Sequence, residues 1–147
     1  MRLSTKGRYA VMAMADLARH GGERAVSLAE IAARQDISLA YLEQLFARLR
    51  RAGLVTSVRG PGGGYRLAKH AGELAISDIV LAADEPIRAT RCSGHDSERG
   101  CMPGGVRCLT HDLWDALGAE IERFLSGVSL EDVIERRVRA PSPAEAA

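Results

Sequence analysis

The sequence predicts a mainly α-helical fold: a winged helix-turn-helix with a small β-wing, a metal-binding loop and a C-terminal dimerisation helix. Three observations predict it. Two amphipathic helices with capping signals follow one another across a tight turn at Asp36-Ile37. A Gly-rich tip, RGPGGG, then separates two short β-rich runs. All three cysteines fall in one loop ahead of a further amphipathic helix.

The elements follow in order. Tyr9, Ala10, Ala13, Met14, Leu17 and Ala18 recur at three-and-four spacing, which predicts a helix over residues 4–20. HGGER breaks it. Ser27 and Glu30 form a capping box, and Leu28, Ile31 and Ala32 line the inner face of a short helix ending near Gln35. Ser38 is the N-cap of the next helix, which runs to Gly53 and buries Leu42, Leu45, Phe46 and Leu49. Residues 55–58 and 65–67 read as strands around the tip. A short helix is expected over 75–83, ended by Asp84-Glu85-Pro86, then the cysteine loop, 91–109. Trp114, Leu117, Ile121 and Phe124 form the stripe of a helix over 111–126, and 129–136 is a final short helix. Residues 138–147 carry a disordered composition. The organisation expected is therefore a DNA-binding region (1–70), a linking helix (71–90), a Cys/His loop (91–111), a dimerisation helix with a short helix (111–136) and a tail (137–147).

A length of 147 residues fits one compact domain with appendages, and a 46% hydrophobic content is enough for a core. No run approaches the roughly 18–20 apolar residues of a membrane span, and the first residues do not read as a leader. A cytoplasmic protein without a membrane partner is expected. Thiols stay reduced there, so the cysteines read as ligands or redox groups rather than disulfides. The net charge of +1 hides an asymmetry: residues 1–70 sum to +7 and residues 71–147 to −6. A basic first half suits a polyanion.

The helix beginning at Ser38 is the candidate recognition helix. Its N-terminal turn offers Ser38, Tyr41 and Gln44, with free amides suited to a phosphate. Gln44 is matched to adenine; Glu43 accepts from cytosine N4 but repels phosphate, so it serves to exclude sequences more than to add affinity. Arg48, Arg50 and Arg51 are phosphate candidates, and Arg59 at the wing tip is placed for a minor groove. The plainer alternatives are that Tyr41 caps the core, that Arg48 and Arg50 solvate the helix, and that RGPGGG is an ordinary turn. One module reads few base pairs, so a two-fold homodimer on double-stranded DNA with a pseudo-palindromic site is expected. Trp114, Leu117, Ile121 and Phe124 would form its interface, unless that stripe packs within its own subunit.

Cys92, Cys101, Cys108 and His111 read C-x8-C-x6-C-x2-H. A Gly-rich loop of this length needs something to fix it. Zinc accepts three cysteines and a histidine, but its structural sites usually carry C-x2-4-C knuckles, absent here. Iron–sulfur clusters tolerate wider spacing, and a 2Fe–2S cluster needs the four ligands this loop supplies. His111 is preferred to His95 because C-x2-H at a helix start brings both side chains to one side. No nucleophile–base constellation appears, and GPGGG precedes a strand rather than a helix, so neither an enzyme nor a nucleotide site is expected.

MRLSTKGRYAV, ISLAYLEQLFARLRRAGLV, SVRGPGGGYRL, ATRC and CLTHDLW together resemble the IscR family of iron–sulfur cluster regulators, within the winged helix-turn-helix superfamily. The likeness covers residues 1 to about 135. It implies a homodimeric transcription factor with one 2Fe–2S cluster per subunit on Cys92, Cys101, Cys108 and His111. It also implies repression of cluster-assembly genes when loaded, a second class of DNA site for the apo form, Glu43 discriminating between the classes, and the assembly machinery as cluster donor. Two departures stand out: both Cys–Cys gaps are longer than the family pattern, and Ala40 replaces a commonly polar residue. The alternatives are a zinc- or thiol-dependent regulator and a cluster carrier without specific DNA binding.

Overall fold

The computed structural model describes residues 4–83, 85–88, 90, 92 and 100–140. His95 and the end of the tail, 141–147, lie outside the described residues. Helix α1 (Thr5–His20) opens at Ser4, whose hydroxyl accepts from the Lys6 amide. Helix α2 (Leu28–Gln35) has the capping box expected: Ser27 Oγ accepts from the Glu30 amide while Glu30 accepts from the Ser27 amide. Asp36 closes α2 in the left-handed region at φ 53°. Helix α3 (Leu39–Arg51) then starts at Ser38, which caps Tyr41 N–H at 3.1 Å. Ala52 rather than Gly53 is its C-cap; Gly53 follows at φ 76°, the turn that sends the chain into the wing.

Strands β1 (Val55–Val58) and β2 (Gly64–Leu67) pair antiparallel, with Val55 opposite Leu67 and Val58 opposite Gly64. A bridge from Val26 to Tyr65 adds the α1–α2 connection to this ribbon. Gly64 makes the approach possible, since at φ 153° a Cβ would run into the Val26 carbonyl. A 3-10 turn (Ala71–Glu73) leads to α4 (Ile76–Ala82), and α5 (His111–Ser126) and α6 (Leu130–Ile134) follow. Ala75 bridges Ser129, so the chain around α6 returns to the start of α4.

One apolar core holds these elements. Met14 and Leu17 of α1, Ile31 of α2, Leu42, Phe46 and Leu49 of α3, Ile79 and Val80 of α4 and Leu130 of α6 are all buried in it. The Tyr65 ring meets Phe46 edge-on at 4.9 Å, fastening the wing to α3. Asp16 is buried in α1 and accepts from Arg34 at 2.7 Å and Gln35 at 2.8 Å, which fixes α2 across α1. Burial works to raise this carboxyl, but the Arg34 and Gln35 hydrogen bonds and the guanidinium charge outweigh it and hold its pKa below the ordinary value. No helix among the described residues is long and apolar enough to cross a membrane.

Candidate metal centre and nucleic-acid interface

The long apolar-to-polar alternation of α5 places His111 in its first turn, directly beyond the cysteine loop, and there the loop folds back on the helix start. Cys92, Cys101 and His111 bring one ligand atom each to within 4.8 Å of one another. Cys108 joins them through Cys92, sulfur to sulfur at 3.7 Å. Cys101 Sγ stands 3.5 Å from His111 Nδ1 and accepts from the Cys108 amide at 3.2 Å. The His111 amide bonds the Cys108 carbonyl at 3.0 Å, so C-x2-H closes as a turn into α5. His111 is buried, and its Nε2 has no hydrogen-bond partner among the described residues. A buried imidazole nitrogen without a partner costs free energy unless something coordinates or bonds it.

The thiols differ in electrostatics. Burial, with Cys101 and Cys108 beside it, pushes the Cys92 thiol up to about 11. Hydrogen bonding from Cys101, then Thr110, brings Cys108 down to about 7. Three sulfurs and an imidazole drawn together at a helix start are a donor set that fits a soft metal or an iron–sulfur cluster. Glu85, in the segment between α4 and the loop, is tied to α1. Its carboxylate accepts from the Ser4 and Gly7 amides at 2.6 and 2.7 Å, capping α1. Gly7 leaves the room for it: a Cβ there would strike the Glu85 carboxylate.

The nucleic-acid face is smaller than expected. Ser38, Glu43 and Gln44 are exposed on α3, with Ala40 beside them. Arg50 is exposed and donates to Ser57 Oγ at 3.4 Å, between helix and wing, and Arg59 stands exposed at the wing tip. Two of the proposed contacts turn elsewhere. The Tyr41 ring packs edge-on against Tyr9 at 5.8 Å and its hydroxyl is buried, so the core-capping alternative holds. Arg48 donates to the Ala83 carbonyl at 3.2 Å, neutralising the C-terminus of α4 instead of pointing at a groove. Both lie on one helical stripe with the buried Leu45, and that spacing was the available signal. Sequence reasoning missed Glu85, Asp16 and Arg34, whose partners are far away in the chain.

Helix α5 packs on α4, with Ser126 Oγ donating to Ser77 Oγ at 3.1 Å. Only His111 and Gly118 of α5 are buried. Trp114, Leu117, Ile121 and Phe124 are half-buried and stand outside the core, to which α5 contributes Leu125. Leu113 beside them is 60% exposed.

A reading helix with a Gly-tipped wing, on a chain that gathers three cysteines and a histidine, defines a winged-helix transcription regulator with a candidate metal centre. The family model described as Rrf2, iron-dependent transcriptional regulator, matches residues 3–136, and the chain belongs to the Rrf2 family. The HTH-type transcriptional regulator IscR of Photorhabdus laumondii is 56% identical over 137 residues, 93% of this chain and 81% of that protein. The regulator of the same name from Xenorhabdus nematophila is 54% identical over the same length. Among solved structures, T. potens IscR matches with a TM-score of 0.73 and 36% identity, covering 100% of this chain and 97% of that one. CymR, the global cysteine regulator of B. subtilis, matches with a TM-score of 0.73 and 33% identity, covering 92% and 98%. The protein is thus a DNA-binding transcription regulator and not an enzyme.

Proposed function

We propose that this regulator works in the cytoplasm as a homodimer on double-stranded, pseudo-palindromic DNA and senses a 2Fe–2S cluster held by Cys92, Cys101, Cys108 and His111. When loaded it represses cluster-assembly genes; without cluster it keeps affinity for a second class of site. The observation that carries the reading is the convergence of those four side chains, with Cys101 Sγ 3.5 Å from Nδ1 of the buried His111 and Cys92 Sγ 3.7 Å from Cys108 Sγ. When bound, the cluster supplies a redox-active, labile cross-link between the loop and α5. The chain's own residues do the rest. Glu85 ties the segment that leads into the loop to α1, and the Tyr9–Tyr41 contact carries α1 onto the first turn of α3. Ordering of the loop therefore biases the placement of Glu43 and of the wing. The stripe Trp114, Leu117, Ile121 and Phe124 meets its copy across the two-fold axis, and the assembly machinery is the source of cluster.

A single zinc ion is the second reading. It is favoured by the tight spacing of the ligand atoms, since sulfurs on one tetrahedral zinc stand about 3.8 Å apart. Iron, sulfide and zinc analysis of protein purified without oxygen, with its visible spectrum, tests both. About two iron and two sulfide per chain with a visible charge-transfer band are expected; stoichiometric zinc without sulfide overturns the cluster.

A further inference from the structure

Thr110 is the N-cap residue of α5, yet its side chain caps no backbone amide. Its hydroxyl is used elsewhere. Thr110 Oγ1 lies 3.2 Å from Trp114 Nε1, one helical turn on, and 3.7 Å from Cys108 Sγ on the loop side. An indole N–H can only donate, so the threonine oxygen accepts from it. The hydroxyl's single proton is then left for the sulfur, the next atom in reach. Neither contact is accidental to the fold. Thr110 and Trp114 are four residues apart on the first turn of α5, where side chains stack. Cys108 is held in place by its amide on Cys101 Sγ and by its carbonyl, which the His111 amide bonds.

We propose that Trp114 and Thr110 are positioning residues for the metal centre: the indole fixes the threonine rotamer, and the threonine hydroxyl donates to the Cys108 sulfur. This rests on the reading of the four side chains as cluster ligands. A hydrogen bond to a ligand sulfur favours the more negative, reduced form of a cluster and raises its potential. Trp114 also belongs to the half-buried stripe of α5. A partner helix that packs on this stripe holds the indole still, so subunit association and the electronic state of the centre are linked through one hydroxyl, and linkage works in both directions.

The chain has one tryptophan, so its indole signals are unambiguous. The test uses full-length protein loaded with cluster anaerobically, comparing wild type with Thr110→Val, Thr110→Ser and Trp114→Phe by dye-mediated redox titration. Thr110→Val moves the potential negative, with the reduced-to-oxidised ratio at fixed ambient potential falling about fivefold, the worth of one hydrogen bond of about 1 kcal/mol. Thr110→Ser restores the wild-type value, and Trp114→Phe shifts it in the same direction by less. In metal-free protein, Thr110→Val moves the Trp114 indole N–H resonance. An unchanged potential in Thr110→Val, or Thr110→Ser behaving like Thr110→Val, overturns the proposal. If wild type takes up neither iron nor sulfide, the cluster reading itself fails; the indole resonance then decides the hydroxyl contact alone, and its failure to move overturns that as well.

Discussion

Glu43 is an exposed carboxylate on a helix face that otherwise offers Ser38, Ala40 and Gln44 to a polyanion. Its charge disfavours every groove in which it finds no cytosine amine. Replacing it with alanine is expected to relax sequence preference with little loss of affinity, measured by competition among duplexes selected from a random pool. Uniform weakening on all duplexes would contradict that role. Asp16 gives a second prediction. Its pKa is lowered in the folded state, so its stabilisation is present above the ordinary carboxylate pKa of about 3.9 and is lost as pH falls through the folded value. Asp16→Asn should destabilise the fold at neutral pH by about 1.5–3 kcal/mol, the worth of a hydrogen bond to a charged group. It should also flatten the acid limb of stability, both read from denaturant unfolding at fixed protein concentration. An acid limb as steep as wild type would exclude Asp16 as its source. The side chains of Tyr41 and Arg48 face the protein rather than a groove for a shared reason. A one-dimensional pattern marks a stripe by its apolar members, and a tyrosine and an arginine at its edge read equally well as surface. Only the arrival of Tyr9 and Ala83, distant in the chain, turns them inward.

At the scale of elements, α5 was legible almost to the residue, because its apolar repeat is uninterrupted and Gly127 ends it. The wing was legible from its glycines. The bridges Val26–Tyr65 and Ala75–Ser129, and the Glu85 cap on α1, were not, since backbone pairing between distant segments leaves no periodic trace. The metal ligands fall between these cases. Their types and spacing named the four groups, but only the fold brings Cys92 back across the loop to Cys108. Because the α5 stripe stands outside the core, a charge at its centre tests its purpose. Leu117→Glu should leave the monomer fold intact, with a change in its own stability under about 1 kcal/mol. The species seen by sedimentation should shift from dimer to monomer, and affinity for a pseudo-palindromic duplex should fall by tenfold or more. A Leu117→Glu protein that remains dimeric would place the interface elsewhere.

At the scale of the molecule, a basic half that reads DNA is joined to an acidic half that carries the donor set, and two fixed contacts bridge them. Glu85, in the segment between α4 and the loop, fastens to α1, and α4 holds both the Arg48 side chain of α3 and the Ser126 end of α5. On the proposed reading, loading of the loop therefore biases the placement of α3. The direct measurement is the affinity of the loaded and the metal-free protein for two duplexes, each selected from a random pool with one of the two forms. It is made at one fixed salt concentration, because phosphate contacts make absolute affinities salt-dependent. A change of at least about fivefold in the ratio of the two affinities on loading is predicted, the lower end of ordinary coupling between sites. An identical ratio in both forms would contradict a cluster-driven change of selectivity.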